Sequence, residues 1–106
     1  MSGRRRLVMH DAARRDIDAI ALGFSLDAGL RFYDAVRQTC EFLAEHPNVG
    51  TRRSARDPSL SNLRSYGVRG FRNYLIFFVA LADGVYVARV RHGARDNDAW
   101  LGGTGS

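Results

Sequence analysis

Four arginines, Arg72, Arg89, Arg91 and Arg95, and one histidine, His92, fall in the last third of the chain. These are the residue types that metal-free cleavage of RNA requires. A base must take the 2′-hydroxyl proton, an acid must protonate the leaving oxygen, and cations must hold the charge of the phosphorane. His92 is a candidate base or acid, and the arginines are candidate cations. A capping role competes for His92, because Gly93 follows it at the expected end of a strand. Other chemistries lack their residues. His10, His46 and His92 lie far apart in sequence, and the single cysteine, Cys40, falls on the apolar stripe of an expected helix. No metal site and no cofactor is therefore expected. A glycine-rich phosphate loop and a Gly-x-Ser-x-Gly elbow are both missing from the sequence.

The chain around these residues has 106 positions, enough for one domain and one core. It is 45% hydrophobic and 25% charged, which are globular values. The longest apolar run, residues 74–82, is too short to cross a bilayer. The basic start is followed only by Leu7, Val8 and Met9, too few for a signal peptide. With one cysteine and no disulfide framework, a cytoplasmic protein with no membrane partner is expected. All sixteen cationic residues are arginine and the net charge is +5. Such a balance favours an anionic partner, either nucleic acid or an acidic protein.

The elements that would carry these residues can be read from periodicity and turn signals. Residues 6–10 form a short apolar strand. Residues 12–22 place Ala13, Ile17, Ile20 and Ala21 on one helical face, and Gly23 ends that helix. Ser25 is the expected N-cap of a second helix. Its stripe is Ala28 or Gly29, Phe32, Val36, Cys40 and Leu43, and Pro47 closes it. The short connector makes the two helices an antiparallel hairpin. Residues 51–62 are polar and basic and read as a long surface loop.

Strands follow at residues 63–68, 73–81 and 85–91, with a turn at Gly70 and a two-residue hairpin turn at Asp83-Gly84. That turn pairs Ala82 with Val85. It places Leu75, Phe77, Val79, Leu81, Tyr86, Ala88 and Val90 on one face without charge, assigned to the core. The opposite face carries Arg72, Tyr74, Ile76, Phe78 and Ala80, with Val85, Val87, Arg89 and Arg91. With two helices to cover one side of the sheet, this second face is expected to be open. We expect it, together with Arg95, to bind a partner, unless the tail with Trp100 and Leu101 folds over part of it. Residues 102–106 are glycine-rich and expected to fray.

Several of these residues stand in a familiar order. Helix one carries Ala13-x-x-Asp16-Ile17-x-x-Ile20, and Pro47-x-x-Gly50 follows helix two. Leu63-Arg64 leads to Val68-x-Gly70-Phe71-x-Asn73-Tyr74-Leu75-Ile76-Phe77. The last motif is Val87-x-Arg89-Val90-x-His92-Gly93-Ala94-Arg95-Asp96. Over roughly residues 7–96 the chain resembles the RelE/ParE superfamily of type II toxin–antitoxin toxins, and the ParE branch more than the RelE branch. The resemblance implies an α+β fold in the order β-α-α-β-β-β, with a two-helix hairpin packed on one face of a mostly antiparallel sheet. It implies a toxin that poisons DNA gyrase and is held inactive by a ParD-like antitoxin, whose tail wraps the toxin. On this branch the chain is a binding protein with no catalytic residues of its own.

The RelE branch implies an alternative, an endoribonuclease that cuts mRNA on the ribosome. There Arg72, His92 and Arg95 would be catalytic, and Arg64 would stand in for a lysine. The C-terminal tyrosine of that branch is missing, since the region reads Asp98, Ala99, Trp100, Leu101. A third reading is a degenerate toxin that keeps only antitoxin binding.

Overall fold

The computed structural model describes residues 5–94. Its elements are β1 (Arg6–Met9), α1 (Asp11–Leu22), α2 (Leu26–Glu45), β2 (Thr51–Arg52), a 3-10 turn at Pro58–Leu60, β3 (Arg64–Val68), β4 (Phe71–Leu81) and β5 (Gly84–His92). The strands form one sheet in the order β1-β5-β4-β3-β2. β1 runs parallel to β5, and the other three pairings are antiparallel. This is the expected α+β arrangement, a helix hairpin on one face of a mostly antiparallel sheet.

Local chemistry sets the helix ends. The His10 side chain caps α1, its Nδ1 accepting from the Ala12 backbone N–H at 2.9 Å. Ser25 caps α2 as expected, accepting from Ala28 N–H at 3.2 Å. The helix stops at Glu45, two residues before Pro47. At Gly29 the two helices approach backbone to backbone, since a Cβ there would lie 2.8 Å from the Ala21 carbonyl oxygen. Below them the core joins Ala13, Ile17 and Ala21 of α1, and Phe32, Val36, Cys40 and Leu43 of α2, to Ile76, Phe78, Val85, Val87 and Val90 of the sheet. Burial, and behind it the charge of Glu41, pushes the Cys40 thiol up to about 12.

The hairpin register differs from the expected one. Leu81 pairs with Gly84, so the turn is Ala82-Asp83 and not Asp83-Gly84. Gly84 is already a strand residue. A Cβ on it would come 1.8 Å from the Arg6 carbonyl oxygen, so only glycine lets β1 lie alongside. Farther along, Phe78 pairs with Val87 but Phe77 pairs with Arg89, leaving Ala88 as the extra residue of a bulge. The pairing shifts by one residue on each strand, which leaves the membership of the two faces near the turn unchanged; what differs is the face that the helices cover. Ile76, Phe78, Val85 and Val87, expected on an open face, are fully buried beneath the helices, whereas Leu75, Phe77 and Val79, expected there, lie on the other side of the sheet. The bulge reverses the parity of β5, so Val90 pairs with Ile76 and joins the same core face as Val87.

The opposite face of the sheet is not bare. Phe77 and Leu63 are fully buried, with Ala55, Leu60, Leu75 and Val79 packed against them. Part of the segment read as a surface loop therefore folds over the back of the sheet. Its 3-10 turn is capped by Asp57, which accepts from the backbone N–H and the hydroxyl of Ser59. The tail expected to compete for this face lies outside the described residues.

Two outcomes follow from this packing. Phe78→Ala should lower stability by about 3–5 kcal/mol in a denaturant titration, the cost of an aromatic-sized cavity. Burial raises the Cys40 thiol pKa above its ordinary value of 9.0. The folded state therefore holds that proton more tightly than the unfolded chain. The associated stability is present below pH 9 and is lost as pH rises from there towards 12. Between pH 8 and 11 the native chain should lose stability more steeply than Cys40→Ala, as read by the denaturation midpoint.

Candidate functional site

An open cleft of about 350 Å³ lies where α1 meets the far ends of β4 and β5. One wall is Asp16, Ala19, Ile20, Gly23 and Phe24; the other is Tyr74, Val90, Arg91 and His92. Its aromatic floor is a cluster in which Phe24, Phe32, Phe71 and Tyr74 meet at centroid distances of 5.2–6.0 Å. His92 packs edge-on against Tyr74 at 5.1 Å. The imidazole Nδ1 of His92 accepts from Ala94 N–H at 3.1 Å, which is the capping role that competed with catalysis in the sequence.

The electrostatic centre of the cleft is Asp16. Its carboxylate accepts from Arg89 Nε at 2.7 Å, from Arg89 Nη2 at 2.8 Å and from Val90 N–H at 3.0 Å. The pair is mostly buried, with side-chain exposures of 22% and 15%. The hydrogen bond to Asp16 raises the Arg89 pKa further above the physiological range, against the opposing effect of burial. Both members are thus committed to holding α1 on β5.

The expected site residues separate into groups. Arg72 is exposed at the start of β4. It sits at the same end of the sheet as His92, where Gly93 N–H donates to the Asn73 carbonyl at 2.7 Å. Tyr74 and Arg91 are half-buried and line the cleft. The Arg91 Nε is buried without a hydrogen-bond partner. Arg89 is bound to Asp16 instead of facing a partner. Ile76, Phe78 and Val87 lie in the core. Arg95 falls outside the described residues. Among the described residues no group of three or more His, Cys, Asp or Glu side chains could hold a metal.

A second surface was not read from the sequence. Leu22, Leu26 and Leu30 are 84%, 81% and 60% exposed, and Tyr33 is 42% exposed. Leu26, Leu30 and Tyr33 follow one another at steps of four and three along α2 and form a stripe on its outer side, and Leu22 is exposed at the end of α1, just before the connector. Tyr33 is held there by donating its hydroxyl to Asp18 at 2.5 Å, which also raises its pKa. Leu22 is followed in the chain by the cleft-lining residues Gly23 and Phe24. The spacing of Leu26, Leu30 and Tyr33 was the available signal: a second apolar stripe offset from the core stripe of the same helix.

Comparison with known proteins bears on what these surfaces do. The family model described as the ParE toxin of type II toxin–antitoxin system, parDE, matches residues 7–97. Among solved structures, one titled "Chromosomal ParDE TA system from P. aeruginosa" is similar in fold, with a TM-score of 0.64 and 16% identity. The match covers 84% of this chain and 96% of that one. No curated protein matches the chain in sequence.

Replacing Asp16 by Asn should cost about 2–3 kcal/mol, since a partly buried guanidinium and a strand N–H lose a charged acceptor. Arg89→Lys should not restore the fold's stability, because an ammonium cannot bridge both carboxylate oxygens in a fixed plane. Denaturation midpoints of the two variants check both statements.

Proposed function

The chain belongs to the ParE toxin family of type II toxin–antitoxin systems, and on that premise we propose that it arrests growth by binding DNA gyrase and stalling it on cleaved DNA. Its neutralising partner is a ParD-like antitoxin. The observation that carries a binding function over a catalytic one is the state of the polar groups around the cleft. Asp16 and Arg89 are spent on each other, and the Nδ1 of His92 is spent on the turn that follows β5. What remains available is contact surface, with Arg91 in the cleft and the exposed Arg72 beside it as cations for a partner.

The stripe of Leu26, Leu30 and Tyr33, together with Leu22, suits the apolar side of an antitoxin segment. Such a segment, continuing past Leu22, would enter the cleft and meet Tyr74, Arg91 and His92. Of the residues expected from sequence to touch a partner, Arg72, Tyr74 and Arg91 keep that role in this arrangement. The net charge of +5 would draw an acidic antitoxin tail at a higher rate.

The presence of Arg72 and His92 at one end of the sheet favours one other reading, ribosome-dependent mRNA cleavage. The deciding experiment incubates the antitoxin-free chain with gyrase, supercoiled plasmid and ATP. Linear DNA that depends on gyrase is the expected product. No linear DNA from folded chain, together with mRNA cleavage on ribosomes that Arg72→Ala abolishes, would replace the gyrase reading with the nuclease one. For the antitoxin, the double variant Leu26→Asp, Leu30→Asp should weaken binding at least tenfold by calorimetry, with an unchanged Tm, because both side chains already face water in the free chain.

A further inference from the structure

The charge of this chain is segregated. Residues 51–72 hold six arginines against one acidic residue, whereas α1 and α2 together hold seven acidic residues against four arginines. The ion pairs among the described residues engage Arg5, Arg6, Arg31, Arg37 and Arg89. Arg52, Arg64 and Arg69 meet no carboxylate among them.

Geometry puts these three along one edge. Arg52 and Arg64 are direct cross-strand partners of β2 and β3. Arg64 in turn pairs with the core residue Phe78, so both arginines belong to the helix side of the sheet. Like charges in that relation repel, and Arg64 finds only the Gly50 carbonyl, at 3.4 Å. Arg69 follows the last residue of β3. Its backbone N–H is fixed by Thr39 Oγ1 at 3.1 Å, and its guanidinium lies over the Phe42 ring, 6.0 Å from the centroid. Three guanidinium groups therefore track β3 from its first residue to just past its last, met by a carbonyl and an aromatic ring but by no carboxylate among the described residues.

The surroundings select among anions. Among the described residues the exposed large apolar ones are Leu7, Leu22, Leu26, Leu30 and Tyr33, and none of them lies between residues 51 and 72. A protein partner would lack the anchors that carry interface affinity. A single-stranded nucleic acid needs open aromatic faces. Here Tyr66 and Phe42 are packed on each other at 5.6 Å, and Phe71 packs against Phe24 and Phe32. A duplex requires only cations spaced along its phosphates.

We propose that the helix-side edge of β2 and β3 binds the phosphate backbone of double-stranded DNA through Arg52, Arg64 and Arg69. The choice of duplex DNA over duplex RNA rests on the gyrase reading, since gyrase presents a DNA duplex; the cation row does not depend on that reading. The hairpin stripe and the basic edge then serve different partners on one small molecule.

The test measures fluorescence anisotropy of a labelled 20-base-pair DNA duplex with the full chain, free of antitoxin, from 50 to 200 mM salt. Three phosphate contacts predict a log–log salt slope of about −2.7, or about 40-fold weaker binding across that range. Arg52→Ala, Arg64→Ala and Arg69→Ala should each flatten the slope by about 0.9. Arg64→Lys should restore it, and Arg15→Ala, on the outer side of α1, should leave it unchanged. The Tm of Arg52→Ala should be equal to that of the parent or higher, because the like-charged pair is gone. A role confined to the fold would lower it instead.

The proposal is overturned by absence of binding at 50 mM salt, or by a slope that the three variants do not alter. It is also overturned by tighter binding to single-stranded DNA, duplex RNA or an acidic peptide. Running the variants in the plasmid assay separates the two readings. DNA binding without linear product leaves this edge standing and removes gyrase, and linear product without DNA binding does the reverse.

Discussion

The sheet depends on one carboxylate taking over where a strand runs out. β1 accompanies β5 only as far as the pairing of Met9 with Val87. The last main-chain bond on that side is His10 N–H to the Val87 carbonyl, at 2.9 Å. There the chain leaves to begin α1, and the outer edge of β5 would be bare. Asp16, one turn into the helix, accepts the Val90 N–H and both nitrogens of the Arg89 fork. These are charge-assisted bonds in a site largely closed to water, the setting in which such bonds are strongest. The same contact steadies the bulge at Ala88. Because of that bulge Val85, Val87 and Val90 all face the helices, which a regular strand could not arrange. The cleft and its aromatic floor are built on the result.

Much of the architecture is legible from periodicity. The stripe of Phe32, Val36, Cys40 and Leu43 and the cap at Ser25 are strong local signals, and tertiary packing agrees with both. The hairpin register was not legible, for a definite reason. Asp83-Gly84 is a favoured turn pair, and the alternative turn one residue earlier carries a weaker signal. Both turns put Ile76, Phe78, Val85 and Val87 on one face, so neither the turn pair nor the alternation says which face the helices cover. Gly84 was a correct signal with a different cause, since it admits the backbone of β1 and not the turn. The bulge has no residue that announces it, as Ala88 is compatible with either parity.

The site was less legible than the fold. Arg89 was read as a surface cation because its partner lies 73 residues earlier, and no spacing rule connects them. The outer stripe on the hairpin was hidden by a stronger stripe on the same helix. A second apolar row is informative only once the first is known to be saturated by core contacts. The arginines of β2 and β3 were visible as composition but not as geometry, because a two-residue strand such as β2 has no periodicity to detect. Together these surfaces give the molecule a polarity, with acidic, apolar-striped helices on one layer and a cationic sheet edge beside them. A net charge alone conceals that moment, which orients the chain as it nears a charged partner.

The position of β5 also fixes when the molecule can come into being. It is the final described strand of the chain, yet it lies inside the sheet between β1 and β4, and β1 has no strand partner but β5 among the described residues. During synthesis the first strand and both helices emerge with their apolar faces uncovered, waiting for a strand that follows all the other described elements. Such long-range closure is slow compared with helix formation, and the waiting hairpin is exposed to aggregation or to capture by any chaperone at hand. The sheet and the surfaces built on it are therefore completed together, only once β5 has been made.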